Sequence, residues 1–416
     1  MSGHHIGSYR AGVTTSSNIS PRLYEIRLTG HLDARWAASF EGMTLTQHED
    51  GSTTLRGELP DQSALHGLLA VLRDAGLPLV SVAQVGADGR TDRMTAAVYR
   101  RFGGPEVVAL TEIERPRPRA GELLVRVRAT TVSAADHRTR SRDVPPGLLL
   151  PSSLVLGFFR PRRPILGMDI AGDVVEVGDG VDAFRPGDAV VGMLGSRFGG
   201  HAEYAILQAT DAVAAVPSTM PATEAAALVF GGITAQAYLR QAGLRPGSRV
   251  LVNGASGAVG TAVVQLAVAA GARVTGVSSR VNHALVRSLG AAEVIDYAVR
   301  DFTADGAPYD VIVDCVGNAP VSRVLGSLAP GGAVLLVAAD LGSLIAAPRQ
   351  ARRHGITVVT GPGAYRADDL AHVVELAERG QFRAVIDRTF PFEQIAAAHQ
   401  YVDSGRKRGN VVVTIP

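Results

Sequence analysis

The segment from Arg249 to Ala270 limits what this chain can fold into more than any other. Arg249-Val250-Leu251-Val252-Asn253 is dense in branched residues, as a strand covered on both faces is. It runs directly into Gly254-Ala255-Ser256-Gly257-Ala258-Val259-Gly260 and then into the apolar stretch Thr261–Ala270, which reads as a helix. Glycines spaced by three across a strand-to-helix turn present backbone N–H groups at a helix N-terminus and leave a pyrophosphate room to approach. An ordinary tight turn would use the same glycines, so the surroundings decide. Five further strands alternate with helices: Arg273–Val277, Glu293–Asp296, Asp310–Asp314, Ala333–Val337 and Thr357–Thr360. That rhythm predicts a parallel α/β sheet. Ser256, Gly257, Ala258, Val259 and Gly260 are therefore assigned to a dinucleotide site.

The next strand should end beside the adenosine ribose. An Asp or Glu at that point accepts from the ribose hydroxyls in NAD sites. This chain has Ser278-Ser279-Arg280 instead. Hydroxyls and a guanidinium suit a 2′-phosphate that an acidic group would repel, so the expected cofactor is NADPH. The alternative for Arg280 is a solvated residue at a helix start.

The 416 residues suffice for two or three domains, and 46% hydrophobic against 19% charged residues gives ample core material. A net charge of +2 offers no reason to expect nucleic acid as a partner. A single cysteine, Cys315, excludes an intrachain disulfide and a cysteine-based structural zinc site. The start lacks the apolar run of a signal peptide, and the uncharged stretch 250–272 is interrupted by Asn253, Thr261, Gln265 and glycines. No transmembrane segment and a cytoplasmic location are expected.

After a tail expected to be disordered, residues 1–19, a small α+β module is expected over 20–86. Tyr24–Leu28 alternates as a strand, and Asp33 can cap a short helix carrying Trp36 and Phe40. Met43–Gln47 and Thr53–Leu59 flank Asp50-Gly51, a two-residue hairpin signal. Leu65, Leu68, Leu69 and Leu72 share one face of a second helix ended by Gly76, and Leu79–Val85 is a last strand. The order β-α-β-β-α-β is that of a ferredoxin-like sandwich. Residues 87–93 read as a linker, and from Met94 to Val216 short strands such as Glu122–Ala129 and Ala189–Gly192 follow one another.

The string Val252–Gly260 resembles the signature of zinc-free quinone oxidoreductases of the medium-chain dehydrogenase/reductase superfamily and of related NADP-dependent alkenone reductases. So do Ala171-Gly172-Asp173-Val174-Val175-Glu176-Val177-Gly178, Arg185-Pro186-Gly187-Asp188, Val294-Ile295-Asp296-Tyr297, Val313-Asp314-Cys315-Val316-Gly317 and Lys407-Arg408-Gly409-Asn410-Val411-Val412-Val413. The resemblance runs from Met94 to Pro416 and leaves out residues 1–93. It implies a GroES-like catalytic domain over 94–227 and 359–416, and a Rossmann-type NADPH-binding domain over 228–358, with the reactive cleft between them. It also implies that Thr234, Tyr297, Val316, Ala338 and Asn410 line the cofactor, with Tyr297 near the adenosine and Val316 near the nicotinamide. The zinc-using relatives carry Cys-x-x-Asp and Gly-His-Glu; the matching places here hold Ser133-Ala134-Ala135-Asp136 and Gly167-Met168-Asp169. Hydroxyl and thioether are poor substitutes for those ligands, so no catalytic metal is expected. His137 and His201 fall near the implied cleft, as surface or supporting groups rather than ligands.

Without a metal, charge growing on a substrate oxygen needs hydrogen-bond donors. By the resemblance Ser133 is the first candidate, and Asp136 would hold its loop or the cofactor ribose; Tyr204 is either a proton donor or a tyrosine of the core. The substrate is expected to be a small apolar molecule. The proline-rich, apolar stretch 143–164, ending in Arg160, Arg162 and Arg163, reads as a loop: a substrate cover, a membrane or partner contact, or a loop packed on its own domain. Three functional readings stand: hydride transfer to an activated C=C bond or a quinone, reduction of an isolated carbonyl, and NADPH binding without turnover. A homodimer is left open.

Overall fold

The computed structural model describes residues 22–30, 32, 40, 42–48, 51–85, 93–144, 147–304 and 308–416. The described residues form two compact units that divide between Arg93 and Met94.

In the first unit four antiparallel strands, Arg22–Thr29, Met43–Gln47, Ser52–Leu59 and Leu79–Val85, lie in the spatial order second, third, first, fourth. That is the order of a ferredoxin-like sheet. The helix Gln62–Asp74 starts on Asp61, whose carboxylate accepts from Ala64 N at 2.8 Å, and buries Leu65 and Leu72 on Tyr24, Ile26 and Leu28. The hairpin differs from the expected two-residue turn. Gln47 pairs with Thr53 and His48 N donates to Ser52 O, so the loop is wider. Gly51, at φ +80°, takes the left-handed position while Asp50 lies outside the described residues. So does most of the expected Asp33–Phe40 helix.

The second unit has two lobes. In one, antiparallel strands including Glu122–Val132, Asp169–Val177 and Ala189–Met193 are joined by the last strands of the chain, Ile386–Pro391 and Asn410–Thr414. The chain therefore leaves this GroES-like lobe and returns to it. In the other lobe six parallel strands take the order Glu293–Asp296, Arg273–Ser278, Arg249–Asn253, Tyr309–Asp314, Leu328–Leu336, Thr357–Val359. This is the doubly wound Rossmann arrangement, and its order reverses between Arg249–Asn253 and Tyr309–Asp314, where such sheets bind ligands.

The stretch 143–164 is not all loop: Leu149–Leu156 is a helix. Its apolar residues run all round, so no period betrayed it, and Pro151 sits in the first turn, where a missing N–H costs nothing.

Candidate functional site

Beyond the strand ends lies a cleft of about 1330 Å³ lined from both lobes. Its floor is the glycine turn. Gly254 has φ +81°, and Gly257 caps the helix Ala258–Ala269 without any side-chain bond to the free N–H groups of its first turn. Gly257 pairs with Gly409 in a parallel bridge, and Gly409 N donates to Ser256 O at 2.8 Å, so the C-terminal segment braces the turn. A Cβ on Gly260 would stand 2.1 Å from Gly254 O, so the helix can approach its strand this closely only with glycine there. Ser256, Gly257, Ala258, Val259 and Gly260 all line the cleft.

At one end stand Ser278, Ser279 and Tyr297. Asn282 Nδ2 donates to Ser256 Oγ at 3.2 Å and to Ser279 Oγ at 3.1 Å, tying the glycine turn to the next strand's end. Arg280 begins the short turn Arg280–Asn282 and is exposed beside this end rather than part of the lining.

Val316 and Ala338 line the cleft from the neighbouring strands. Their loop is held by a residue that the sequence reading did not single out. The buried Asp314 carboxylate accepts from Asn253 Nδ2 (2.8 Å), Val316 N and Gly317 N (3.0 Å each) and Ala319 N (2.8 Å). Four donors on one carboxylate fix the loop against the first strand.

The opposite wall brings in Met168, Phe230, Thr234 and Tyr365. Thr234 lies on the helix Ala222–Ala242, and its Oγ1 is 3.3 Å from Tyr365 OH. Burial raises the Tyr365 pKa, so this hydroxyl stays protonated at neutral pH. Lys407 also reaches the cleft, with Nζ 2.7 Å from Gly409 O, and burial pushes its pKa down to about 8. It remains mainly a cation at neutral pH, and an anion beside it would favour the charged form further. His137 lines the same wall. Its Nδ1 is 2.6 Å from Asp403 Oδ1, and the fully buried Arg140 donates to both Asp403 oxygens at 2.6 and 2.7 Å.

Other expected site residues do not meet here. Ser133 is 3% exposed and caps the helix Ala134–Ser141. Its Oγ donates to Asp136 Oδ2 at 2.6 Å, Ser133 N donates to the same oxygen, and Asp136 Oδ1 accepts from Gly167 N. This is a reciprocal capping box, so hydroxyl and carboxylate satisfy each other and Gly167 instead of the cleft. Tyr204 is buried on the strand Tyr204–Gln208, with the Arg115 guanidinium 4.4 Å above its ring, away from the cleft lining. Asn410 is buried as well, its Nδ2 donating to Ala227 O and Val385 O. It joins the last strand to the inter-lobe helix Ala222–Ala242, which packs on strands of both lobes, and does not line the cleft.

His201 is wholly buried, its Nε2 3.0 Å from Thr131 O and its ring against His399. Burial, ahead of the neighbouring cationic groups, holds the His399 pKa well below the usual histidine value. Asp169 is buried too. Burial lifts its pKa to about 7 against the opposing hydrogen bonds from Thr131. Among the described residues no three His, Cys, Asp or Glu side chains gather as metal ligands would.

Comparison with known proteins agrees with these two lobes. Residues 119–218 match an alcohol dehydrogenase GroES-like domain, residues 289–413 a zinc-binding dehydrogenase domain, and residues 23–83 a domain of unknown function. A chloroplastic quinone oxidoreductase of Triphysaria versicolor is 31% identical over 338 residues, 77% of this chain and 98% of that protein. Quinone oxidoreductase of Rattus norvegicus is 31% identical over 342 residues, with the same coverage. The quinone oxidoreductase structure from Coxiella burnetii superposes with a TM-score of 0.68 at 26% identity, covering 78% of this chain and all of that one. The chain is an oxidoreductase built for a nicotinamide cofactor, and it belongs to the quinone oxidoreductase-like branch of the medium-chain dehydrogenase/reductase superfamily, with an additional N-terminal module.

Proposed function

We propose that the protein uses NADPH to reduce an activated C=C bond, as in an enone, or a quinone, without a catalytic metal. The observation that carries this reading is the pair of hydroxyls, Thr234 and Tyr365, facing the same cleft as the glycine turn. The uncapped N–H groups after Gly257 and the cation of Lys407 suit a pyrophosphate, and Ser278, Ser279 and Arg280 suit the adenosine end. When bound, NADPH supplies a hydride from its nicotinamide ring. Tyr365 would donate to the substrate oxygen and Thr234 would orient it, while Met168 and Phe230 keep water away. A conjugated acceptor spreads the arriving charge onto that oxygen, where two hydrogen bonds can hold it. An isolated carbonyl would ask for a stronger electrophile. The metal-independent reading is supported by the residues at the family's ligand places: the Ser133 hydroxyl is bonded to Asp136, and Met168 offers a thioether.

Deuterium from C4-labelled NADPH is expected at the β-carbon of a reduced enone. Label on a carbinol carbon, with the C=C bond intact, would replace this reading by carbonyl reduction. Tight NADPH binding with no turnover of enones, quinones or aldehydes would replace it by a binding role.

Arg280→Ala is expected to weaken NADPH binding tenfold or more and leave NADH binding nearly unchanged. A charge-assisted hydrogen bond is worth roughly 1.5–3 kcal/mol, and about 1.4 kcal/mol is a factor of ten. Titration showing equal losses for both cofactors would remove Arg280 from the 2′-phosphate.

A further inference from the structure

The helix Leu149–Leu156 and the turn after it turn their greasy residues outward. Leu149, Leu150, Leu154, Val155 and Phe158 are exposed, Leu150 at 73%, and Phe159 is exposed at 93%. This tip is held in place. Gly157, at φ +109°, donates to Ser153 O, and Arg162 N returns to Leu156 O, both at 2.9 Å. A Cβ on Gly157 would stand 2.1 Å from Arg160 O, so the tight reversal needs glycine. Arg142 donates to Phe158 O at 2.8 Å and ties the turn to the preceding helix.

Beside the apolar tip are Arg160, Arg162 and Arg163, all exposed. Among the described residues none of the three forms an ion pair, whereas nearby Arg197 is paired with Asp211. Behind the helix lies a cavity of about 480 Å³ lined by Leu154, Leu156, Arg162, Arg163, Thr139 and Ser196. An eight-residue helix is only about 12 Å long, far short of a bilayer span, so it can lie on a membrane but not cross it. Apolar side chains pointing out, with unpaired arginines immediately beside them, match the sequence of layers in a bilayer face. Acyl chains lie beneath a plane of phosphates.

We propose that Leu149–Arg163 is a docking surface for an anionic phospholipid bilayer, with the leucines and Phe159 entering the acyl boundary and Arg162 and Arg163 taking phosphates at the cavity mouth. The chemistry of this surface stands apart from the reaction in the cleft, and none of these residues lines that cleft.

Flotation of the full chain with vesicles tests the assignment. With equimolar phosphatidylcholine and phosphatidylglycerol the protein should float at low salt, and it should stay behind with pure phosphatidylcholine. Leu150→Asp/Phe159→Asp should abolish flotation. Arg160→Gln/Arg162→Gln/Arg163→Gln should weaken it on the order of a hundredfold, at about 1 kcal/mol for each arginine. NADPH titration should be unchanged in both variants, which shows that they fold. Failure of the wild-type chain to float with the anionic vesicles overturns the proposal, as does undiminished flotation of either variant. Loss of a dimer in Leu150→Asp/Phe159→Asp, with no vesicle binding by the wild type, would assign the surface to a second copy of the chain instead.

Discussion

Replacing Gly260 by valine is expected to cost on the order of a hundredfold or more in dinucleotide affinity, because overpacking at this level costs about 1–3 kcal/mol even where side chains can yield. Here they cannot. The added Cβ would meet Gly254 O at 2.1 Å, Gly254 C at 2.8 Å and the Ala255 Cα at 2.9 Å, all backbone. Relief has to come from moving the helix Ala258–Ala269 off the turn, and that withdraws the N–H groups proposed to hold the pyrophosphate. Fluorescence titration with NADPH reads the loss, and circular dichroism checks that the lobes remain folded. An unchanged dissociation constant in a folded variant would dismiss the glycine turn as the cofactor site.

Tyr365→Phe is expected to lower kcat by about 10²–10³, the usual cost of removing one donor from a developing oxyanion. NADPH affinity should hardly change, since only the hydroxyl is lost. Ser133→Ala makes the contrast. It removes a helix cap, so it should cost about 1 kcal/mol of stability in a urea melt and leave kcat within a few fold. If Ser133→Ala instead lost the rate and Tyr365→Phe kept it, the donor would be Ser133, reached through a rearranged capping box. Steady-state turnover of an enone and a quinone by both variants, beside their unfolding curves, separates the two outcomes.

The position of Ser133 shows how a family resemblance and local chemistry can diverge. Ser133-Ala134-Ala135-Asp136 carries its own signal, a hydroxyl residue followed three places later by an acid at a helix start. That pattern points to a capping box, which is what the hydrogen bonds form. Tyr204 and Asn410 had no such local signal. Both fall in strands whose faces are decided by register: Tyr204 opposite Arg126, and Asn410 opposite Ile386. A slip of one residue would send either side chain to the other face.

Local sequence was enough for the glycine turn, the parallel strands and the second helix of the N-terminal module. In each, the determinants lie within a few residues: branched side chains that favour strands, a glycine that permits a left-handed or crowded backbone, an acid at a helix start. The observed strands Arg249–Asn253 and Glu293–Asp296 coincide with those expected, and the others differ only at their ends. The apolar helix Leu149–Leu156 escaped because a helix exposing or burying apolar residues on every side has no period to detect. What faces the cleft was settled only by packing across long separations. Thr234 and Tyr365 stand 131 residues apart and meet only because the inter-lobe helix lies beside the loop that leads back into the GroES-like lobe. Asp314 likewise binds Asn253 across 61 residues through parallel neighbours in the sheet. Such pairs depend on strand order and on the helix packed against it, which no window of the chain contains.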